Sequence, residues 1–110
     1  MFSSELKKGS IEMLVLSLVE ARARHGYEIG KLIESRSGGR LTFALPSLYP
    51  TLLRLENRGW IKGRWVERPG ERERCFYRLT RRGRQILAEQ RATWQTYIAA
   101  VNDVMEPGDA

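Results

Sequence analysis

The segment of residues 47–59 constrains the fold of this chain most, because it has the pattern of a short amphipathic helix with a defined start and stop. Its apolar stripe consists of three leucines at i, i+4 and i+7, namely Leu48, Leu52 and Leu55. Ser47 is a favourable N-cap, and it would put Pro50 at the third helical position, where a backbone N–H has no partner inside the helix. Gly59 then provides a stop signal. The segment predicts a helix over residues 48–58, although any capped surface helix shares these features.

A ribbon of two β-strands is predicted directly after this helix. Residues 60–66 are rich in β-branched and aromatic side chains, residues 67–73 form a charged turn, and residues 74–79 return. Cys75, Tyr77 and Leu79 alternate with the residues between them, so one face of the ribbon is expected to meet a core. An isolated hairpin is marginally stable, and this one must therefore pack on the helices.

Two more helices are predicted before the ribbon, over residues 10–22 and 27–36, with a short connection over residues 23–26. Residues 2–8 would form an extra turn or an arm. Three helices followed by a ribbon predict a mainly α fold with a small β-hairpin, of the winged helix-turn-helix type.

The last predicted helix begins after Thr80, which is a favourable cap. Its apolar residues fall on a seven-residue repeat: Leu87, Trp94, Ile98, Val101 and Met105. Such a stripe favours pairing with a second copy of the chain, and the alternative is that the helix folds back on the first helix of its own chain. We expect a winged helix-turn-helix DNA-binding domain over residues 1–79 and a dimerisation helix over residues 80–110, together forming one structural unit.

The net charge of +6 is unevenly distributed. Residues 1–20 carry a net −1 and residues 92–110 a net −3, so residues 21–91 hold +10. A basic middle between slightly acidic ends is typical of a polyanion-binding face, although an arginine-rich surface without a function has the same charge.

Residues that could support catalysis or bind a metal are sparse. The single cysteine, Cys75, cannot form an internal disulfide. One histidine and one cysteine are also too few ligands for a zinc site. The predicted elements bring together neither a nucleophile with a base nor a pair of carboxylates. We therefore expect that the protein is not an enzyme and that it has no cofactor. The longest apolar run, residues 13–19, is too short to span a bilayer, and a reducing cytoplasm is the expected location.

Several ordered blocks of the sequence resemble the PadR-like winged-helix transcriptional regulators, specifically the small members with a single C-terminal helix. The blocks are His25-Gly26-Tyr27-Glu28-Ile29, Leu48-Tyr49-Pro50 with Leu52, Arg54-Leu55-Glu56 and Gly59, and Tyr77-Arg78-Leu79-Thr80 with Gly83. The resemblance implies a dimeric regulator of transcription that binds double-stranded DNA, with repression as the usual mode. It also implies an aromatic or drug-like effector that weakens DNA binding.

The third helix is expected to lie in a major groove with its N-terminal residues nearest the bases. Its leading contacts would be Ser47, Tyr49, Pro50 and Arg54. Arg54 can bind guanine bidentately, Tyr49 can donate to a phosphate, and Pro50 can meet a thymine methyl group. The wing would add cations suited to phosphates or a minor groove: Lys62, Arg64, Arg68, Arg72 and Arg74. Three alternatives stay open: Tyr49 is a core aromatic, the wing carboxylates pair with the arginines, or the fold binds only proteins.

The expected effector site lies on the last helix. Trp94, together with Tyr97, Ile98 and Phe2, could line it, and two Trp94 rings across a two-fold axis would form a flat apolar slot for a planar ligand. The alternative is that Trp94 is a plain packing residue.

Overall fold

Helices and short strands follow one another in the winged-helix order. The computed structural model describes residues 2–3, 7 and 9–108. The elements are α1 Ile11–Leu18, β1 Arg24–His25, α2 Gly26–Arg36, α3 Leu45–Asn57, β2 Ile61–Val66, β3 Arg74–Leu79 and α4 Arg81–Met105. The predicted mainly α fold with a small β element and a long last helix is confirmed. Of the predicted arm, only Phe2, Ser3 and Lys7 are among the described residues, and residues 109–110 of the predicted C-terminal unit lie outside them.

The sheet has three antiparallel strands in the order β1-β3-β2, one more than the sequence predicts. The additional strand is β1, which pairs His25 with Phe76 and Arg24 with Tyr77. It lies within residues 23–26, which were predicted to be a plain connection. The pairing joins the start of α2 to the ribbon, and the ribbon is therefore attached to the helical part on both sides.

The apolar stripe of α3 forms the centre of the core. Leu48, Leu52 and Leu55 are fully buried, as predicted from their spacing. They pack in one cluster with Val15 and Leu16 of α1 and with buried residues of the sheet and of α4. Burial of this stripe fixes which face of α3 points outward.

The first helix ends at Leu18 rather than near Arg22, and this part of the prediction is wrong. The side chain of Arg24 is buried and donates a hydrogen bond to the carbonyl of Leu18. The same guanidinium lies 2.9 Å from Glu28 of α2. Arg24 thus satisfies a carbonyl at the end of α1 and joins it to α2 across the turn after Leu18.

The third helix begins earlier than predicted, so Ser47 is not its N-cap. Ala44 is the N-cap, and its carbonyl accepts hydrogen bonds from the N–H groups of Ser47 and Leu48 at 2.9 and 3.2 Å. Pro46 fits the first turn because an N–H there needs no partner. Pro50 consequently lies inside the helix, where it has no N–H to offer the carbonyl of Pro46. The expectation that Pro50 costs the helix little is wrong.

The last helix begins as predicted, with Thr80 as its cap. The Thr80 hydroxyl accepts from the N–H of Gly83 at 3.0 Å and donates to the carbonyl of Gly59 at 2.6 Å. The first half of α4 packs on α1, and Leu87 is fully buried in the core of its own chain. Residues 91–100 are all exposed, so the second half of the helix extends away from the core.

Candidate nucleic-acid interface

The outward face of α3 is the first part of the candidate interface. The helical period places Pro46, Pro50, Leu53 and Asn57 at its middle, opposite the buried leucines, and all four are exposed. Leu53 is 59% exposed and was not among the predicted contacts. Its exposure could have been predicted from the sequence, because Leu53 does not fall on the i, i+4, i+7 spacing of the three buried leucines. The middle of this face is therefore more apolar than the sequence reading suggested.

Tyr49 lies on the flank of α3 that faces α2. A Cβ atom on Gly26 would be 3.2 Å from Tyr49 Cε1, so the glycine gives the ring room to pack against the start of α2. The side chain is nevertheless 53% exposed. Tyr49 is thus not a plain core aromatic, and half of it is available to a partner.

Arg54 lies on the opposite flank, which faces α1. Its Nε is 3.5 Å from a Glu12 carboxylate oxygen, and its Nη2 donates to the Thr51 hydroxyl at 3.1 Å. Arg58, which follows α3, donates to the other oxygen of Glu12 at 2.9 Å. The exposed fraction of the Arg54 side chain is 49%. The predicted guanine-binding residue is therefore at the surface but paired within its own chain.

The wing provides exposed cations. Lys62, Arg64, Arg68 and Arg72 are exposed, whereas Arg74 is half-buried. Among the residues that the structure describes, none of the wing carboxylates, Glu67, Glu71 and Glu73, forms an ion pair. The structure therefore does not support the alternative that these carboxylates pair with the wing arginines.

Aromatic rings hold two of the wing arginines. The Arg68 guanidinium lies 5.7 Å from the ring centre of Phe76, and that of Arg74 lies 5.8 Å from the ring centre of Tyr27. Contacts of this kind restrict the arginine side chains without neutralising them. The two guanidinium groups keep their positive charge for a polyanion.

His25 connects the wing to α2. Its Nδ1 accepts a hydrogen bond from the N–H of Glu28 at 3.2 Å and so caps the helix, as a helix-start residue should. The Arg74 guanidinium is also 3.2 Å from Nδ1, and the ring meets Phe76 edge-on at 5.2 Å. Burial and the charge of Arg74 lower the pKa of His25, while Glu28 opposes them. The ring is therefore neutral near pH 7, with Nδ1 as an acceptor.

Cys75 and Tyr77 form the inward side of β3. Burial raises the pKa of the Cys75 thiol, and it also raises the pKa of Tyr77. Gly63 on β2 pairs with Tyr77 and leaves room for both side chains, since a Cβ atom there would lie 2.5 Å from Cys75 Sγ and 3.0 Å from Tyr77 Cε1. Both side chains therefore stay protonated and act in packing.

Comparison with known proteins identifies the family. The sequence model of the transcriptional regulator PadR-like family matches residues 15–89, which make up more than half of the chain. The chain belongs to the PadR-like family. It is accordingly a PadR-like transcriptional regulator.

Relatives of known structure share the fold over nearly the whole chain. A transcriptional regulator from Clostridium thermocellum is 28% identical, with a TM-score of 0.85 over 94% of this chain and 97% of the other. A PadR family transcriptional regulator from Eggerthella lenta is 30% identical, with a TM-score of 0.83 over 94% and 88%. An uncharacterized protein from Lysinibacillus sphaericus is 26% identical over 96% of this chain and 97% of its own length. The chain thus shares its fold, over nearly its whole length, with the two regulators of known structure.

In this PadR-like chain, a groove of about 670 Å³ lies between α1 and α4. Trp94 and Tyr97 line it, with ring centres 6.4 Å apart, and so do Trp60 and Met13. Phe2 and Ile98, which were predicted to lie at the same site, are exposed but do not line the groove. Within the described residues, Gln90 Oε1 is the one buried side-chain polar atom without a hydrogen-bond partner, and its side chain lines this groove. The structure therefore assembles half of the predicted effector set and adds residues that the sequence reading missed.

The predicted dimerisation stripe is divided between the core and the surface. Leu87 belongs to the core of its own chain and is not accessible to a second copy. Trp94 is 42% exposed, Ile98 36% and Met105 75%, and Val101 is partly exposed.

Within the described part of the chain, no helix is long and apolar enough to cross a membrane, and no group of three potential metal ligands occurs.

Proposed function

We propose that this PadR-like regulator is a dimeric, sequence-specific DNA-binding protein that represses transcription. The observation that carries the proposal is the unneutralised wing: within the described residues its exposed lysine and arginines have no carboxylate partner, and its strand β2 packs on the end of α3, where Gly63 N–H donates to Glu56 at 2.9 Å. Phosphate contacts from such cations position a protein on DNA, while a helix in the major groove reads the bases.

The two parts of the interface have different roles. On α3, Arg54 binds guanine, Tyr49 donates to a phosphate, Pro50 contacts a thymine methyl group, and Ser47 lies near the backbone. The wing contacts phosphates or a minor groove through Lys62, Arg64, Arg68, Arg72 and Arg74. Residues 1–79 act as the DNA-binding domain, and residues 80–110 act as the dimerisation helix of the same structural unit.

Replacing Arg54 by alanine is expected to weaken binding to the operator by about 1 to 3 kcal/mol and to relax its specificity. The reason is the loss of a bidentate contact to a base edge. Fluorescence anisotropy of labelled duplex DNA from the upstream region of the protein's own gene, compared with a scrambled duplex across a salt series, measures both effects. Arg68→Ala and Arg72→Ala are the contrasting variants.

The wing variants should weaken binding to both duplexes alike and reduce the salt slope by roughly one unit per lost phosphate contact. Unchanged discrimination by Arg54→Ala would show that α3 is not placed as proposed. Weak, equal binding of both duplexes by the unmodified protein would contradict the function itself.

A protein-interaction role is the second candidate, and one observation favours it. The middle of the α3 face holds Pro46, Pro50 and Leu53, which offer few hydrogen bonds to bases but a suitable surface for an apolar partner. This function requires binding that is insensitive to salt and that persists when the wing arginines are replaced. The same salt series distinguishes the two candidates.

We further propose that a planar aromatic effector binds beside Trp94 and reduces the affinity for DNA. The exposed ring of Trp94, the neighbouring Tyr97 and the groove between α1 and α4 support this proposal. Bound effector would favour a dimer whose two α3 helices have the wrong spacing for the operator.

Trp94→Ala should abolish the quenching of tryptophan fluorescence by planar aromatic compounds, and it should leave DNA binding intact as long as sedimentation shows that the variant is still dimeric. The reason is that stacking on this indole brings the ligand close enough to quench it. Quenching that is unchanged in the variant would exclude the slot, and Trp65→Ala, which removes an exposed indole on the wing, is the matched control.

A further inference from the structure

One carboxylate on α1 pairs with both arginines on the same flank of α3. The Glu12 oxygens lie 3.5 Å from Arg54 Nε and 2.9 Å from Arg58 Nη1. The Glu12 side chain is 27% exposed, whereas the arginines are 49% and 44% exposed. The anion is thus the more sheltered member of this cluster, and the cations are its outer part.

Two further contacts keep the arginines in this arrangement. Arg54 Nη2 donates to Thr51 at 3.1 Å, and the Arg58 guanidinium lies 4.9 Å from the ring centre of Trp60. Thr51 is buried on the inner side of α3, and Trp60 follows the end of that helix. Together with the Glu12 pairs, both contacts hold the guanidinium groups on this flank of α3.

We propose that Glu12 is an internal competitor of DNA for Arg54 and Arg58, and that it thereby sets the affinity of the interface. The proposal rests on the proposed function. A carboxylate and a phosphate both accept hydrogen bonds from a guanidinium group, so DNA has the full donor set of these arginines only when Glu12 releases Arg54 Nε and Arg58 Nη1. Any complex that uses these two donor groups, specific or not, must break the pairs, and we therefore expect the unmodified protein to bind DNA more weakly than the number of its cations suggests.

The size of the effect follows from the exposure of the pairs. Ion pairs at the surface are individually weak, and two of them that share one carboxylate reduce the affinity for DNA by about three- to tenfold. A change of that size is measurable in the anisotropy experiment. It must be separated from the long-range effect of removing any negative charge.

The test compares three variants at one salt concentration on the same operator duplex. Glu12→Gln removes the charge, and Glu12→Asp keeps the charge but shortens the side chain so that it cannot reach both arginines. Glu20→Gln is the matched control, because Glu20, which follows the end of α1, also pairs with an arginine, namely Arg91 of α4 at 3.0 Å. Thermal unfolding of each variant verifies that it is folded.

Glu12→Gln and Glu12→Asp are both expected to bind the operator about three- to tenfold more tightly, and Glu20→Gln less than about twofold. The gain should disappear when Arg54 and Arg58 are both replaced by alanine. Equal effects of Glu12→Gln and Glu20→Gln, or weaker binding by either Glu12 variant, would overturn the proposal. Elution from immobilised heparin makes the same comparison without an operator, so failure of sequence-specific binding is distinguished from failure of the competitor role.

Discussion

Gly83→Ala is expected to destabilise the fold by about 3 kcal/mol or more, although alanine is the better helix former by about 1 kcal/mol. A Cβ atom at this position would overlap the carbonyl oxygen of Trp60. It would also lie 2.9 Å from the carbonyl carbon of Trp60 and 2.8 Å from Leu79 Cδ1. The obstacle is backbone rather than the end of a flexible side chain, so relief requires the whole helix to move.

The helix cannot move freely because Thr80 fixes its first turn to the same junction. The Thr80 N–H donates to the carbonyl of Trp60 at 3.0 Å, and the Thr80 hydroxyl donates to that of Gly59. A shift of α4 would break these bonds and withdraw Ile86 and Leu87 from the core. Chemical denaturation followed by circular dichroism measures the loss.

Gly30→Ala is the matched control for this substitution. Gly30 also lies inside a helix, but its added Cβ would meet only the end of the Leu48 side chain at 3.1 Å and the Phe43 carbonyl oxygen at 3.8 Å. We expect a change in the free energy of unfolding within about 1 kcal/mol. If Gly83→Ala were as stable as Gly30→Ala, the close approach of α4 to Trp60 would be wrong.

Local patterns predicted the elements that depend on their own residues. The leucine stripe of α3 defined its buried face, because side-chain spacing alone decides which face of a helix is apolar. Thr80 was predicted as a cap because its hydroxyl can accept a hydrogen bond from the first turn of the helix. The structure confirms this, since the N–H of Gly83 donates to it. The ribbon strands were found within one residue of their observed ends.

Features that depend on residues outside their own element were missed. Strand β1 has two residues, and it exists because Phe76 and Tyr77 pair with it from about 50 positions further along the chain. The carbonyl of Leu18 at the end of α1 accepts from the side chain of Arg24, which lies six residues further on and outside the helix. Neither contact follows the period of a helix or a strand, so neither can be read from a pattern.

The start of α3 shows how two local rules compete. Ser47 is the better capping residue, yet Ala44 has the extended backbone of an N-cap and its carbonyl accepts the first hydrogen bonds. Pro46 favours this earlier start, because proline is well suited to the first turn of a helix. The choice is consistent with Thr51 and Leu48 being buried on one side of a longer helix.

The candidate interface was predicted as a set of residues but not as an arrangement. The predicted cations of the wing are at the surface or close to it. The pairing of Arg58 with Glu12 joins residues 46 positions apart, and it could only be found in three dimensions. Leu53 could have been found from its position off the leucine stripe.

Val101→Asp is expected to convert the proposed dimer to a monomer and to lower the affinity for a two-fold symmetric operator by about a hundredfold or more. In the described part of the chain, the second half of α4 is covered by no other element, and its stripe of Trp94, Ile98, Val101 and Met105 is at least partly exposed. Placing a carboxylate within the apolar contact between two such helices is costly, because the charge would lose its water without gaining a partner. Each monomer would then bind one half-site through a single α3.

The variant should leave the fold itself intact, since Val101 lies beyond the core residues of α4, which end at Leu87. Asn102→Asp is the matched control: it introduces the same carboxylate one position away, at an exposed polar residue, and should remain dimeric. Sedimentation equilibrium gives the oligomeric state, and anisotropy with operator and half-site duplexes gives the affinities. A Val101→Asp protein that remained dimeric would place the dimer contact elsewhere. A monomer that bound the full operator as tightly as the unmodified protein would show that DNA recognition does not depend on pairing.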